Sequence, residues 1–307
     1  MTENDFITAL SRRFPARPPV LVGIGDDGAA VQGNGHQPMI VVTDMLLDGT
    51  HFRLSEIDPR LAGRKAMAVN LSDLAAMAAR PTAAFVSLAV PADRSRLPTN
   101  FLDRLYDGFE ELTSQYSFSL AGGDTNSWDG PFAVNVCLLG APMSDTIPLR
   151  SGAQPGDLLY VSGPLGGSLH QKRHLLFSPR FDAAEWLVSH TKLTAMMDIS
   201  DGLSMDLSRM MRASGTGALL EAAAIPIHED VPGHLTVEAR LTAALSDGED
   251  FELLFAVPEH EATTLAEAPF PLQFHCVGRV HGEPGLRIRT TSGDITPLAA
   301  GGWQHQV

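Results

Sequence analysis

The chain has 307 residues, 44% of them hydrophobic, which suits two cores of about 150 residues each and excludes disorder as its main state. Its 22 basic and 36 acidic side chains give a formal charge of −14, a surface that repels nucleic acid and anionic membrane. No stretch approaches the ~18 apolar residues of a membrane span, and the N-terminus has no apolar signal core, so a cytoplasmic protein is expected.

In chain order, apolar residues at helical spacing (Phe6, Ile7, Leu10, Phe14) predict a helix over 5–14, ended by the Pro-rich stretch 15–19. Strand-like runs follow at 20–24, 39–42, 84–90 and 133–139, with helices over 59–79 and 98–116 between them. The order is helix, strand, strand, helix, strand, helix, strand, an α+β pattern. The polar stretch 142–157 reads as a junction with the boundary near Pro148, giving domains 1–147 and 148–307. The second half opens with a strand at 158–162 and a Gly-rich turn, then helices near 181–189 and 202–213 and strands at 218–220, 253–257 and 274–280. This predicts α/β again, with its own core. Cys137 and Cys276 lie in apolar strand-like runs and are expected as buried free thiols, which fits a reducing compartment.

The informative feature recurs five times: an apolar run ends and acids follow at once. It occurs in LVGIGDD (21–27), IVVTD (40–44), LAGGD (120–124), MMDISD (196–201) and SDGED (246–250). Any one such Asp is ordinarily a turn former or a helix cap. Five of them gather carboxylates that repel one another unless hard divalent cations with oxygen ligands neutralise them. Cations would also reconcile the negative charge with a polyphosphate ligand. The loop GIGDDG (23–28) has glycines that let backbone approach a ligand. No Gly-Lys-Ser/Thr follows it, so it is not a P-loop.

Other positions leave two readings each. Thr43 and Asp44 offer small oxygen ligands suited to Mg2+, and His51 beside Phe52 is either a ligand contact or an ordinary core or surface residue. Asn70 and Asp73 share a helix face, where they make structural hydrogen bonds or Asp73 reaches a metal. Ser200 or Asp201 caps the helix that follows, whose free N–H groups suit phosphate, or Asp198 and Asp201 hold a cation. The turn 163–170 is a plain turn or a phosphate cradle. Arg150 is a surface residue or a phosphate contact.

Together these motifs resemble the thiamine-monophosphate kinase family. The matching strings are GIGDDGAAV (23–31), TDMLLDGTHF (43–52), GRKAMAVNLSDLAAMAARP (63–81), AGGDTN (121–126), LRSGAQPGD (149–157), MDISDGLSMDL (197–207) and GEDFELLF (248–255). They occur in family order along nearly the whole chain, and Gly302 to His305 resembles the family's closing aromatic segment. The resemblance implies an aminoimidazole-ribonucleotide synthetase-like fold. In it an α/β N-terminal domain forms a dimeric β-barrel-like interface with its twin, and an α/β C-terminal domain completes the nucleotide and substrate site.

The implied activity is transfer of the γ-phosphoryl of ATP to thiamine monophosphate in a homodimer, with Mg2+. Carried over by position, Asp27, Thr43, Asp44, Asp73, Asp124, Asp198 and Asp201 are the implied Mg2+ ligands. Gly123, Asp124, Arg150 and Ser200 are the implied ATP contacts, and His51, Glu249 and Trp303 the implied contacts to thiamine monophosphate. The sequence departs from the family pattern at Val42, usually a Ser or Thr that touches a metal, and at Gly28, more often Cys or Ala. A helical stretch is also missing from the segment 163–174.

The acceptor is already an ionised phosphate ester, so the expected mechanism is direct in-line transfer with no catalytic base and no phospho-enzyme. An amidine-forming synthetase of the same superfamily and a non-catalytic cation-binding protein are the rival readings.

Overall fold

The computed structural model describes residues 3–33, 35 and 37–304; His305, the last residue of the closing segment noted above, lies outside them. The first half runs α1 (Glu3–Arg13), β1 (Val20–Val22), β2 (Ala29–Gln32), β3 (Pro38–Leu47), α2 (Pro59–Ala76), β4 (Ala79–Pro91), α3 (Phe101–Gln115), β5 (Ser119–Trp128) and β6 (Ala133–Pro142). Its strands form one open six-stranded sheet in the order β1-β2-β3-β6-β4-β5. Only the β4–β5 pair is parallel.

The helix α2 is the structural axis. Asp58 caps it by accepting the N–H of Arg60, and Pro59 occupies its first turn, where a missing N–H costs nothing. Nearly every side chain along it is buried, because it is enclosed on all sides. It touches β3, β4 and β6 below, α3 beside it, and α4 (Phe181–His190) and β8 (Ala195–Asp198) of the second half above. The α2–α3 contact is close enough to require glycine on both helices. A Cβ on Gly63 would meet the Leu105 carbonyl oxygen at 2.1 Å, and one on Gly108 the Arg60 carbonyl oxygen at 2.0 Å.

The second half adds β7 (Leu158–Val161), α5 (Leu203–Ser214), β9 (Gly217–Glu221), α6 (Val237–Ser246), β10 (Leu253–Val257), α7 (Ala262–Ala266), β11 (His275–His281), β12 (Gly285–Arg289) and β13 (Ile295–Pro297). Its seven-stranded sheet has the order β13-β12-β9-β11-β7-β10-β8. All five residues of β10 are buried, as its continuous apolar run requires of a central strand covered on both faces. One core packs α2 between the two sheets and continues through Tyr160, Phe251 and Phe255; a second lies under α5, with Met210, Leu220 and Val277.

The mixed two-domain character is as expected. The second sheet is mostly antiparallel, with only β9–β12 parallel. The first sheet is open, with no closed barrel among the described residues. The expected burial of both thiols is not met. Cys137 is half-buried and Cys276 is exposed, both as free thiols, because each sits on the less covered face of its strand. No helix among the described residues is long and apolar enough to cross a membrane.

Candidate functional site

A cleft of about 600 Å³ opens between the two halves. Each wall owes its side chains to a different local device. The β1–β2 loop supplies Asp26 and Asp27, and Gly25 turns it at φ +124°. The strand β3 supplies Thr43 and Asp44 from its middle, not from its end, because it runs on to Leu47. The last turn of α2 supplies Asp73, the end of β8 Asp198, and the turn into α5 Ser200 and Asp201. His51, Arg150, Glu249 and Trp303 line the same cleft.

Three carboxylates from distant stretches of chain converge. One oxygen each of Asp27, Asp73 and Asp198 lie within 4.8 Å of one another. Burial raises Asp73 and Asp198 well above the ordinary carboxylate value, and repulsion from neighbouring carboxylates adds to it: Asp44 foremost for Asp73, Asp27 foremost for Asp198. Asp44 is raised by burial too, and Asp26 is pushed up to about 6 by burial and then by Asp27. The chain only partly relieves the crowding. Ser72 Oγ donates to Asp198 Oδ2 at 2.6 Å, and Arg150 Nε donates to Asp27 Oδ1 at 3.0 Å. Asp27 Oδ2 is buried with no hydrogen-bond partner among the described residues, a costly state for a carboxylate oxygen. An all-oxygen acidic set with an orphaned ligand atom fits a hard divalent cation such as Mg2+.

Several backbone N–H groups that could have met phosphate are already taken. The N–H groups of Ser200, Asp201 and Gly202, in the turn that leads into α5, all donate to Asp206 Oδ2 at 2.9–3.2 Å. The helix itself starts at Gly202 with no side-chain cap, so neither Ser200 nor Asp201 caps it. In the Gly-rich turn, Gly166 N–H donates to Asp250 and Gly167 N–H to Asp247 Oδ2, so it is a structural turn. The cleft lining carries eight acids (Asp26, Asp27, Asp44, Asp73, Asp198, Asp201, Asp247, Glu249) against four bases (Lys65, Arg150, Arg209, Arg212). Arg150 pairs with Asp27, and Arg209 with Asp201 and Asp206. A polyanion entering this cleft needs added cations.

Against known proteins, residues 25–141 match the family model for the AIR synthase related protein N-terminal domain, and residues 154–290 that for its C-terminal domain. A thiamine-monophosphate kinase of Rhodopirellula baltica is 39% identical over 99% of this chain and 97% of its own. One of Escherichia coli is 36% identical over 94% and 93%. The chain belongs to the thiamine-monophosphate kinase family. A solved structure, "AaThiL complexed with AMPPCP and TMP", superposes with a TM-score of 0.83 at 28% identity, covering 99% of this chain and 97% of that one.

Within this family frame, 11 of the 13 residues singled out from the sequence line the one cleft, and two do not. Gly123 and Asp124 lie on β5, separated from β3 by β6 and β4. The Asp124 carboxylate instead accepts from Thr125 N–H at 2.9 Å and Asn126 Nδ2 at 2.8 Å. Every residue of β5 is exposed, and its outer edge pairs with no strand among the described residues. Val42 is buried in the core between sheet and α2 and does not line the cleft. Four cleft-side residues were not anticipated: Lys65, His174, Asp206 and Arg209. Asp206 had a readable signal, an acid in the first turn of a helix whose cap position is glycine.

Proposed function

We propose that the chain transfers the γ-phosphoryl group of ATP to thiamine monophosphate, giving thiamine diphosphate and ADP, in a Mg2+-dependent reaction. The observation that carries this is the convergence of Asp27, Asp73 and Asp198 in a cleft lined by twice as many acids as bases. Family membership and the neighbour whose title names AMPPCP and TMP support it.

Asp27, Asp73 and Asp198, joined by Asp44, Thr43 and Asp201, are the residues that would hold Mg2+. Bound there, Mg2+ supplies charge neutralisation for the two phosphate groups. The chain's own work is placement and exclusion. Arg150 keeps Asp27 oriented through two guanidinium bonds. Glu249 and His51 form the wall for the acceptor, and the half-exposed Trp303 ring stands at the cleft rim, its backbone N–H donating to the Asp201 carbonyl at 3.0 Å. An ionised phosphate acceptor needs no proton removed, which suits a cleft with no general base assigned, and transfer is direct and in line.

The working unit in this reading is a homodimer. A ten-residue strand exposed on both faces with a bare edge is an aggregation hazard unless something covers it. Pairing with a second copy would cover β5 and bring the partner's Gly123 and Asp124 to this cleft.

The test is direct: incubation with ATP, Mg2+ and thiamine monophosphate, with chromatographic detection of thiamine diphosphate. Formation of that product at the rate of ADP release is expected. ADP release without it, or no turnover, refutes the activity, and a covalently phosphorylated chain refutes in-line transfer.

A further inference from the structure

Lys65 is a basic residue in the middle of α2, a helix buried almost all round. Its side chain is 1% exposed. A buried ammonium is costly unless it is paired and hydrogen-bonded. Here it is both. Its Nζ forms an ion pair with Glu249 Oε2, donates to the His51 carbonyl oxygen at 2.8 Å and lies 2.9 Å from His174 Nδ1.

These partners come from three separate stretches of chain, and two of them are the proposed acceptor contacts. Glu249 itself is held in a constrained pose. Its backbone is left-handed at φ +57°, its N–H donates to the Ser200 carbonyl at 2.6 Å, and its carbonyl accepts from Ser168 Oγ at 2.6 Å. His51 is fixed on its other side, since its Nδ1 accepts the Leu47 N–H at 3.0 Å. Burial alone would push the Glu249 carboxyl up; His174 and the Lys65 ammonium beside it more than offset this and hold it below its ordinary value.

We propose that Lys65 is a positioning residue for the phosphate acceptor: its ammonium ties the His51 backbone and the Glu249 carboxylate into one wall across the cleft. This rests on reading the cleft as a thiamine-monophosphate site. Thiamine monophosphate carries a permanently positive thiazolium ring, and a carboxylate that recognises it must stay both ionised and in place. Lys65 secures both conditions without touching the ligand, because it has almost no exposed surface of its own. Lys65 and His174 both meet Glu249 at Oε2, and the Glu249 side chain keeps 21% of its surface open.

The experiment compares full-length wild type, Lys65→Met, Glu249→Gln and the double variant. Thiamine monophosphate is titrated by calorimetry in the presence of Mg2+ and a non-hydrolysable ATP analogue, with circular dichroism to establish folding. In Lys65→Met, acceptor binding is expected to weaken about tenfold to a hundredfold, as for a misplaced binding group. Binding of the ATP analogue is expected to stay within about twofold, since Lys65 touches none of the implied ATP contacts and its one link to them, Glu249 N–H to the Ser200 carbonyl, is a backbone bond that the substitution leaves in place. The double variant is expected to lose less than the product of the two single losses, because Lys65 acts partly through Glu249.

Unchanged acceptor affinity in folded Lys65→Met overturns the proposal, and so does a double variant that loses the full product. If Lys65→Met unfolds because it strands Glu249, the double variant strands no charge, and a double variant that binds the acceptor no more weakly than wild type overturns the proposal. Wild type that binds acceptor but forms no thiamine diphosphate overturns the kinase reading and leaves these comparisons intact. Wild type that binds no acceptor overturns both.

Discussion

Gly28 sits directly against Val42: a Cβ on Gly28 would lie 2.6 Å from Val42 Cγ1 and 2.7 Å from Met77 Sδ. These are two of the positions at which the sequence departs from the family pattern, and they touch. Val42 is 2% exposed and β-branched, so its γ-methyl cannot swing aside. Gly28→Ala is expected to destabilise the fold by about 1–3 kcal/mol through overpacking. Adding Val42→Ala to Gly28→Ala should recover part of that loss, measured by denaturant unfolding. Independent, additive effects would mean that the two positions did not adjust to each other.

The carboxylate cage sets a second expectation. Asp198→Asn and Asp73→Asn each remove a ligand and one member of a repelling group. Turnover should be lost in both. Thermal stability in a chelator should rise, because each substitution relieves burial of a like-charged group. Calorimetric Mg2+ titration and thermal unfolding check the pair of outcomes. A variant that loses stability and keeps metal affinity contradicts the cage.

Asp250 gives a pH dependence whose sign can be worked out. Burial pushes this carboxyl from 3.8 up to about 7, against the pull of Gly166 N–H and Arg173. The folded state therefore holds a proton that the unfolded state has already released. This group's contribution to stability is fully present below about 4 and is lost as pH rises through about 7. The fall in Tm between those limits should be shallower in Asp250→Asn than in wild type. An unchanged slope would show that Asp250 titrates normally.

The homodimer reading predicts complementation. Asp44→Asn and Asp124→Asn chains should each be inactive alone. If Asp124 serves the partner's cleft, a mixed dimer contains one site with both native residues, and random mixing restores about a quarter of the sites. Co-expressed, differently tagged chains test this. Inactive mixed dimers would place both residues in the same chain's site, or Asp124 outside it.

How far the sequence disclosed the site follows from which signals are local. Asp27, Asp44 and Asp198 stood out because acids at the edges of apolar runs are conspicuous in one dimension, and Asp73 because it shares a face with Asn70 on a largely apolar helix. The strand β5 did not, because none of its residues is buried and no apolar alternation marks it. Lys65 was hidden for the opposite reason: bases in the first half of a helix (Arg60, Arg64, Lys65) read as its surface side, and only the fold shows that α2 is buried almost all round. The bonds by which Asp206 and Asp250 take up backbone N–H groups were invisible, since they depend on contacts across 4 to 84 positions of chain. The direction of the strands in the second sheet was not readable, because it lies in pairing and not in periodicity.

The central claim is that converging acidic side chains hold the cations that let two anionic reactants meet. Its most direct test is anomalous diffraction from crystals grown with Mn2+, a non-hydrolysable ATP analogue and thiamine monophosphate. The account predicts Mn2+ peaks bonded to Asp27, Asp73 and Asp198, with phosphate oxygens of both ligands around them. Ordered ligands in the cleft with no metal at these three carboxylates would contradict it.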